Sequence, residues 1–109
     1  MALEKVILQK EVLDFLEELI FKLFEKDYFG FEESAVEYVF NIVYFAKKSI
    51  PKNNHKTSPL ALRKFGSHYV IYQANNHTSW YIFFERNADK YIVTGILNNH
   101  QPETRFLNL

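Results

Sequence analysis

The hydrophobic repeat of this 109-residue chain changes once, and that change divides it into a helical part and a strand part. From Val12 to Glu25 the apolar side chains Val12, Phe15, Leu16, Leu19, Ile20, Leu23 and Phe24 recur at steps of three and four, the spacing that lines one face of an α-helix. Ala35, Val36, Val39, Phe40, Ile42, Val43, Ala46 and Ile50 repeat the pattern up to Pro51, with Lys47 and Lys48 near the end, where a helix C-terminus favours cations. Asp27-Tyr28-Phe29-Gly30 separates the two stretches; Gly30 suits an N-cap, and Glu32 and Glu33 suit the first turn that follows. A short turn between two such helices predicts an antiparallel hairpin, and the second helix is expected to bury Phe40 and Val43.

Lys52-Asn53-Asn54-His55-Lys56-Thr57-Ser58-Pro59 is a polar loop, after which the period becomes two and the residues turn β-branched and aromatic. Strands are predicted over His68 to Ala74, Ser79 to Glu85 and Lys90 to Leu97, joined by turns at Asn75-Asn76-His77 and Arg86-Asn87-Ala88-Asp89, whose Asn and Asp residues favour tight reversals. Lys5-Val6-Ile7-Leu8 reads as an additional strand. The order (β)ααβββ defines an α+β domain, with a helical hairpin on one face of a small antiparallel, curled sheet. A chain of 109 residues holds one such domain, 1–109, around one core.

Both faces of the strands carry large side chains: Trp80, Ile82 and Phe84 alternate with Tyr81 and Phe83. One face packs on the helices, and the other is either a ligand or partner surface or a patch covered by the chain's own tail. Gly95 inside the last strand marks a bend, a bulge or a close backbone approach.

Composition narrows the classes further. Apolar residues make up 48% and aromatics 17%, with three Gly and three Pro, which disfavours disorder and fibrous repeats. No apolar run approaches the ~18 residues of a membrane span, and the start of the sequence lacks the apolar stretch of a signal peptide, so a cytoplasmic protein is expected. The absence of cysteine removes disulfides and thiolate chemistry and fits a reducing compartment. Charge is uneven: six lysines face ten carboxylates through Ile50, a net of −4, and seven cations face three carboxylates after it, a net of +4. His55, His68, His77 and His100 all lie in the basic half, which points to a polyanionic partner or to ordinary scatter of surface charge. Their spacing suits no compact zinc site, and no metal or other cofactor is expected. Glu85, Asp89 and Glu103 read as solvated turn charges.

The helical hairpin, the segment Ser58-Pro59-Leu60-Ala61-Leu62-Arg63-Lys64-Phe65-Gly66, and the strands Ser79-Trp80-Tyr81-Ile82-Phe83-Phe84-Glu85 and Tyr91-Ile92-Val93-Thr94-Gly95-Ile96-Leu97-Asn98-Asn99-His100 together resemble the RelE/ParE superfamily of bacterial toxin–antitoxin toxins. The resemblance covers nearly the whole chain and rests on shape and order. It implies one of two activities. RelE-like members cleave messenger RNA in the ribosome without metal, by attack of a ribose 2′-oxygen on its neighbouring phosphate; ParE-like members bind DNA gyrase and perform no chemistry. In both, a cognate antitoxin protein neutralises the toxin.

Metal-free RNA cleavage needs a base, an acid and cations, and histidine is the proton carrier near neutral pH. The resemblance places His100 at the family's catalytic position and implies roles for Arg105 and Phe106 in the tail, as a cation and as a ring that stacks on a base. His68 is a second acid–base candidate, while Arg63, Lys64 and Arg86 suit phosphates and Tyr72 offers a hydroxyl or a stacking surface. The bland alternative for each histidine is a solvated or hydrogen-bonded side chain. The chain departs from ribosome-dependent relatives in two places: His68-Tyr69-Val70-Ile71-Tyr72-Gln73 lacks their paired lysines, and Ser79-Trp80 stands where they carry arginine. Three readings follow: an mRNA endonuclease acting at the ribosome, a gyrase-binding toxin, or a protein-binding module on the same fold. Expected partners are an antitoxin with mRNA and the ribosome, or gyrase, with a second copy of the chain as a further candidate and no membrane.

Overall fold

A computed structural model describes residues 5–25, 32–52 and 55–107. The expected turn at Asp27-Tyr28-Phe29-Gly30, with its Gly30 cap, and the Asn53-Asn54 tip lie outside the described residues. The elements run β1 (Lys5–Leu8), α1 (Lys10–Glu25), α2 (Glu32–Ser49), β2 (Lys56–Thr57), β3 (His68–Gln73), β4 (Ser79–Asn87) and β5 (Lys90–Asn98), with 3-10 turns at Leu60–Leu62 and Pro102–Leu107. The sheet order is β1-β5-β4-β3-β2. Every pairing is antiparallel except β1 with β5, which is parallel. Two helices on a five-stranded, mostly antiparallel sheet make this an α+β fold of βααβββ order. No helix among the described residues is long and apolar enough to cross a membrane.

The helices bury Val12, Leu16, Val39, Ile42, Ala46 and Ile50 against Val70, Trp80, Ile82, Phe84, Tyr91, Val93 and Ile96 of the sheet. Burying an aliphatic or aromatic side chain of this kind contributes about 1.5–3 kcal/mol. Trp80 anchors the layers twice. Its indole N–H donates to the Tyr38 hydroxyl at 2.9 Å, and its ring meets Phe15 edge-on with centroids 6.3 Å apart.

The expected core of α2 needs one correction: Phe40 points to solvent, 62% exposed, while Ile42 is 1% exposed. At 100° per residue Phe40 lies a further step around the helix from buried Val39, so the apolar run of α2 is wider than the stripe the sheet can cover. Val43 is partly buried, as part of the helix–sheet core.

The second face of the sheet is covered by the chain itself. Leu62, Tyr69, Tyr81, Phe83 and Leu97 form a buried cluster with Phe65 and Leu107 packed on it, so the segment around the first 3-10 turn joins the tail as a lid. That lid fits because of a β-bulge. Phe83 pairs with Gly95 and Phe84 with Val93, which leaves Thr94 as the extra residue. Beyond the bulge the parity of β5 inverts, and Val93 and Ile96 consequently share the helix face. Thr94 donates its hydroxyl to the Phe65 carbonyl at 2.5 Å. Gly95 allows the approach, since a Cβ there would lie 2.9 Å from both the Cβ and the carbonyl oxygen of Phe65. At Gly66 a Cβ would lie 2.8 Å from the Phe84 nitrogen.

Candidate functional site

The meander brings two asparagine-rich segments to one end of the sheet. In the β3–β4 turn, Asn75 Oδ1 accepts from the backbone N–H groups of His77 at 2.8 Å and Thr78 at 2.9 Å, an Asx-turn that fixes the reversal. At the exit of β5, Asn98 Oδ1 accepts from the His100 N–H at 2.9 Å. Cross-links tie the segments together. Asn99 Oδ1 accepts from the Ser79 N–H at 2.9 Å, Asn99 Nδ2 donates to the His77 carbonyl at 3.1 Å, and His100 Nε2 lies 3.2 Å from the Thr78 hydroxyl.

Above this end, α1 contributes Leu19, Lys22 and Leu23 and α2 contributes Tyr38, closing a cleft of about 610 Å³ that is also lined by Asn75, His77, Thr78, Trp80, Asn98 and His100. That volume lies within the range of small-ligand sites, about 300–1,000 Å³. Its apolar wall is helical and its polar wall comes from the two turns. Two histidines, one lysine and two asparagines therefore border one cleft. Lys22 pairs with Glu18 at 3.5 Å, an exposed contact worth about 0–1 kcal/mol.

The other candidate residues lie elsewhere. His68 sits opposite Phe84 in the β3–β4 register, six residues along β4 from Thr78, roughly 20 Å at about 3.3 Å per residue. It stacks on Phe84 with centroids 5.9 Å apart, and His55 meets both rings edge-on, at 5.4 Å from His68 and 5.2 Å from Phe84. Burial lowers the His55 pKa below the usual histidine value, and the neighbouring His68 and Arg86 lower it further. Ser67 braces this end: its hydroxyl donates to Glu85 Oε1 at 2.5 Å and its N–H to Oε2 at 3.1 Å. With that proton committed to Glu85, the Ser67 oxygen accepts from His68 Nδ1 at 3.0 Å. Arg86 stands over the Tyr91 ring, 5.2 Å from its centroid.

Arg63 and Lys64 follow the first 3-10 turn on the covered face. Arg105 and Phe106 belong to the second 3-10 turn, which touches the first. The Arg105 guanidinium lies 4.9 Å from the Phe106 ring centroid. Tyr72 packs on Phe45, with centroids 5.0 Å apart, in the helix–sheet core. Thus His100 occupies the cleft, Arg63, Lys64, Arg105 and Phe106 share the opposite face, and His68 and Arg86 share the far end of the sheet. His77, Lys22 and Tyr38 are cleft residues that sequence reasoning passed over. Among the described residues no group of three or more His, Cys, Asp or Glu side chains could hold a metal ion.

In comparisons with known proteins the chain matches no family model, no curated protein and no solved structure.

Proposed function

We propose that this protein is a RelE-like toxin of a toxin–antitoxin pair, a metal-independent endonuclease acting on mRNA at the ribosome, with His100 and His77 as its proton-transfer residues. One observation carries the reading: His77 and His100 line a single cleft together with Lys22. Cleavage by 2′-oxygen attack requires a base at the 2′-hydroxyl and an acid at the departing 5′-oxygen, and two histidines near neutral pH supply both. Proton balance closes within the pair. One imidazole takes the 2′-proton as the O2′–P bond forms, and the other gives a proton to the 5′-oxygen as the P–O5′ bond breaks, leaving a 2′,3′-cyclic phosphate and a 5′-hydroxyl. Lys22 faces the negative charge that accumulates on the phosphorus oxygens. The Thr78 hydroxyl, 3.2 Å from His100 Nε2, orients that ring.

The βααβββ order supports the RelE/ParE reading. The placement of Arg63, Lys64 and Arg105 on the opposite face favours the second reading, a ParE-like toxin that binds gyrase without chemistry. Induced expression of the wild type, His77→Ala and His100→Ala, with 5′-ends of cellular mRNA mapped in each culture, separates the two. The endonuclease gives growth arrest and new 5′-ends that both disappear in the variants. Arrest without new ends overturns it in favour of the binder.

A further inference from the structure

We propose that α2 is the contact between two copies of this chain, packed antiparallel about a two-fold axis. Val36, Phe40 and Tyr44 recur at four-residue steps and are 45%, 62% and 50% exposed, so a continuous apolar stripe runs along the back of α2, away from the core side chains of the same helix. Phe40 and Tyr44 stack on each other, with centroids 6.3 Å apart and planes 15° from parallel. The surface is thereby preformed and loses little side-chain freedom on docking. Lys48 stands over the end of the stripe, its ammonium 5.0 Å from the Tyr44 ring centroid.

Charge selects the occupant. Glu37 and Lys48 are both exposed and stand eleven residues apart, three helical turns, so they fall on one line down the helix. The stripe therefore has an acidic end and a basic end on the same edge. Such a surface complements itself when two copies run antiparallel and repels itself when they run parallel. The midpoint of Glu37 and Lys48 falls at position 42.5 and that of Phe40 and Tyr44 at 42. One two-fold axis therefore sets Glu37 against Lys48 and Phe40 against Tyr44 at both symmetry-related ends. The chain has no net charge, so no overall repulsion opposes association.

Sedimentation equilibrium of the full chain across a concentration series tests this. The wild type is expected to show a monomer–dimer equilibrium, and Phe40→Glu to abolish it. Glu37→Lys and Lys48→Glu each create two like-charge contacts and are expected to weaken the dimer about tenfold. The double variant restores opposite charges and is expected to recover wild-type affinity. A wild type that stays monomeric throughout the series, or a double variant no better than the singles, overturns the proposal. All three substitutions are at exposed positions, and circular dichroism of each variant confirms that folding is intact.

Discussion

Trp80 donates its indole N–H to the hydroxyl of Tyr38 at 2.9 Å across the interface between sheet and helices. Both residues also line the cleft, so one hydrogen bond holds together the core and the floor of the site. Tyr38→Phe leaves a buried donor without its acceptor, a loss of about 1–3 kcal/mol. Urea denaturation followed by Trp80 fluorescence measures it; an unchanged midpoint contradicts the role given to this bond.

The lid over the second face depends on Gly95. Gly95→Ala forces a Cβ to within 2.9 Å of the Phe65 backbone and is expected to destabilise by about 1–3 kcal/mol through overpacking. Thr94→Val removes only the bond to the Phe65 carbonyl, with an expected loss of about 1 kcal/mol. Urea midpoints are the check, and an unchanged midpoint for either variant contradicts its part.

Neighbouring positions on α2 respond oppositely to truncation. Ile42→Ala empties a buried site and is expected to lose about 2–5 kcal/mol. Phe40→Ala, at an exposed position, is expected to change the stability of the monomer by no more than about 0.5 kcal/mol. Thermal melts of dilute protein distinguish them.

Ala88 adopts a φ of 57° in the two-residue turn between β4 and β5, where Asn87 pairs with Lys90. The left-handed region is unfavourable for alanine by about 1–2 kcal/mol. Ala88→Gly is therefore expected to stabilise by about 0.5–1 kcal/mol after the greater freedom of the unfolded glycine is subtracted. A lower melting temperature contradicts this.

His55 links stability to pH. Its folded pKa is lowered, first by burial and then by His68 and Arg86, so the unfolded chain binds the proton more readily. Stability from this group is complete above the unfolded value of about 6.5 and is lost as pH falls through the folded pKa. Comparing the urea midpoint of the wild type with that of His55→Gln at neutral pH and at about pH 5 isolates it. The wild type is expected to lose more stability on acidification; equal losses contradict the linkage.

Most of the fold was legible because period is a local property. The step of three and four marks α1 and α2, and alternation marks β3 to β5, with boundaries within a few residues of those observed. Phe40 was misplaced because an apolar count says nothing of how wide a stripe the sheet covers. The inverted parity after Thr94 was not legible either, since a bulge is fixed by what packs over it, here Phe65. The site was half legible. Strand order alone sets the β3–β4 turn beside the exit of β5, which brings His77 to His100 and sends the start of β3, with His68, to the far end. What pattern reading lacked was the helical wall, because the approach of Lys22 and Tyr38 to that end is settled by tertiary packing.

The proposed chemistry is cleavage of RNA by His77 and His100 without metal. The most direct measurement incubates purified protein with ribosomes translating a defined mRNA and follows cleavage, using the wild type, His77→Ala and His100→Ala, and an mRNA carrying 2′-deoxy sugar at the cleaved position. Wild-type products are expected to end in a 2′,3′-cyclic phosphate, with a loss of roughly 10²–10⁴-fold in rate for either alanine variant and no cleavage of the 2′-deoxy message. Undiminished cleavage by both variants, or cleavage of the 2′-deoxy message, would contradict it.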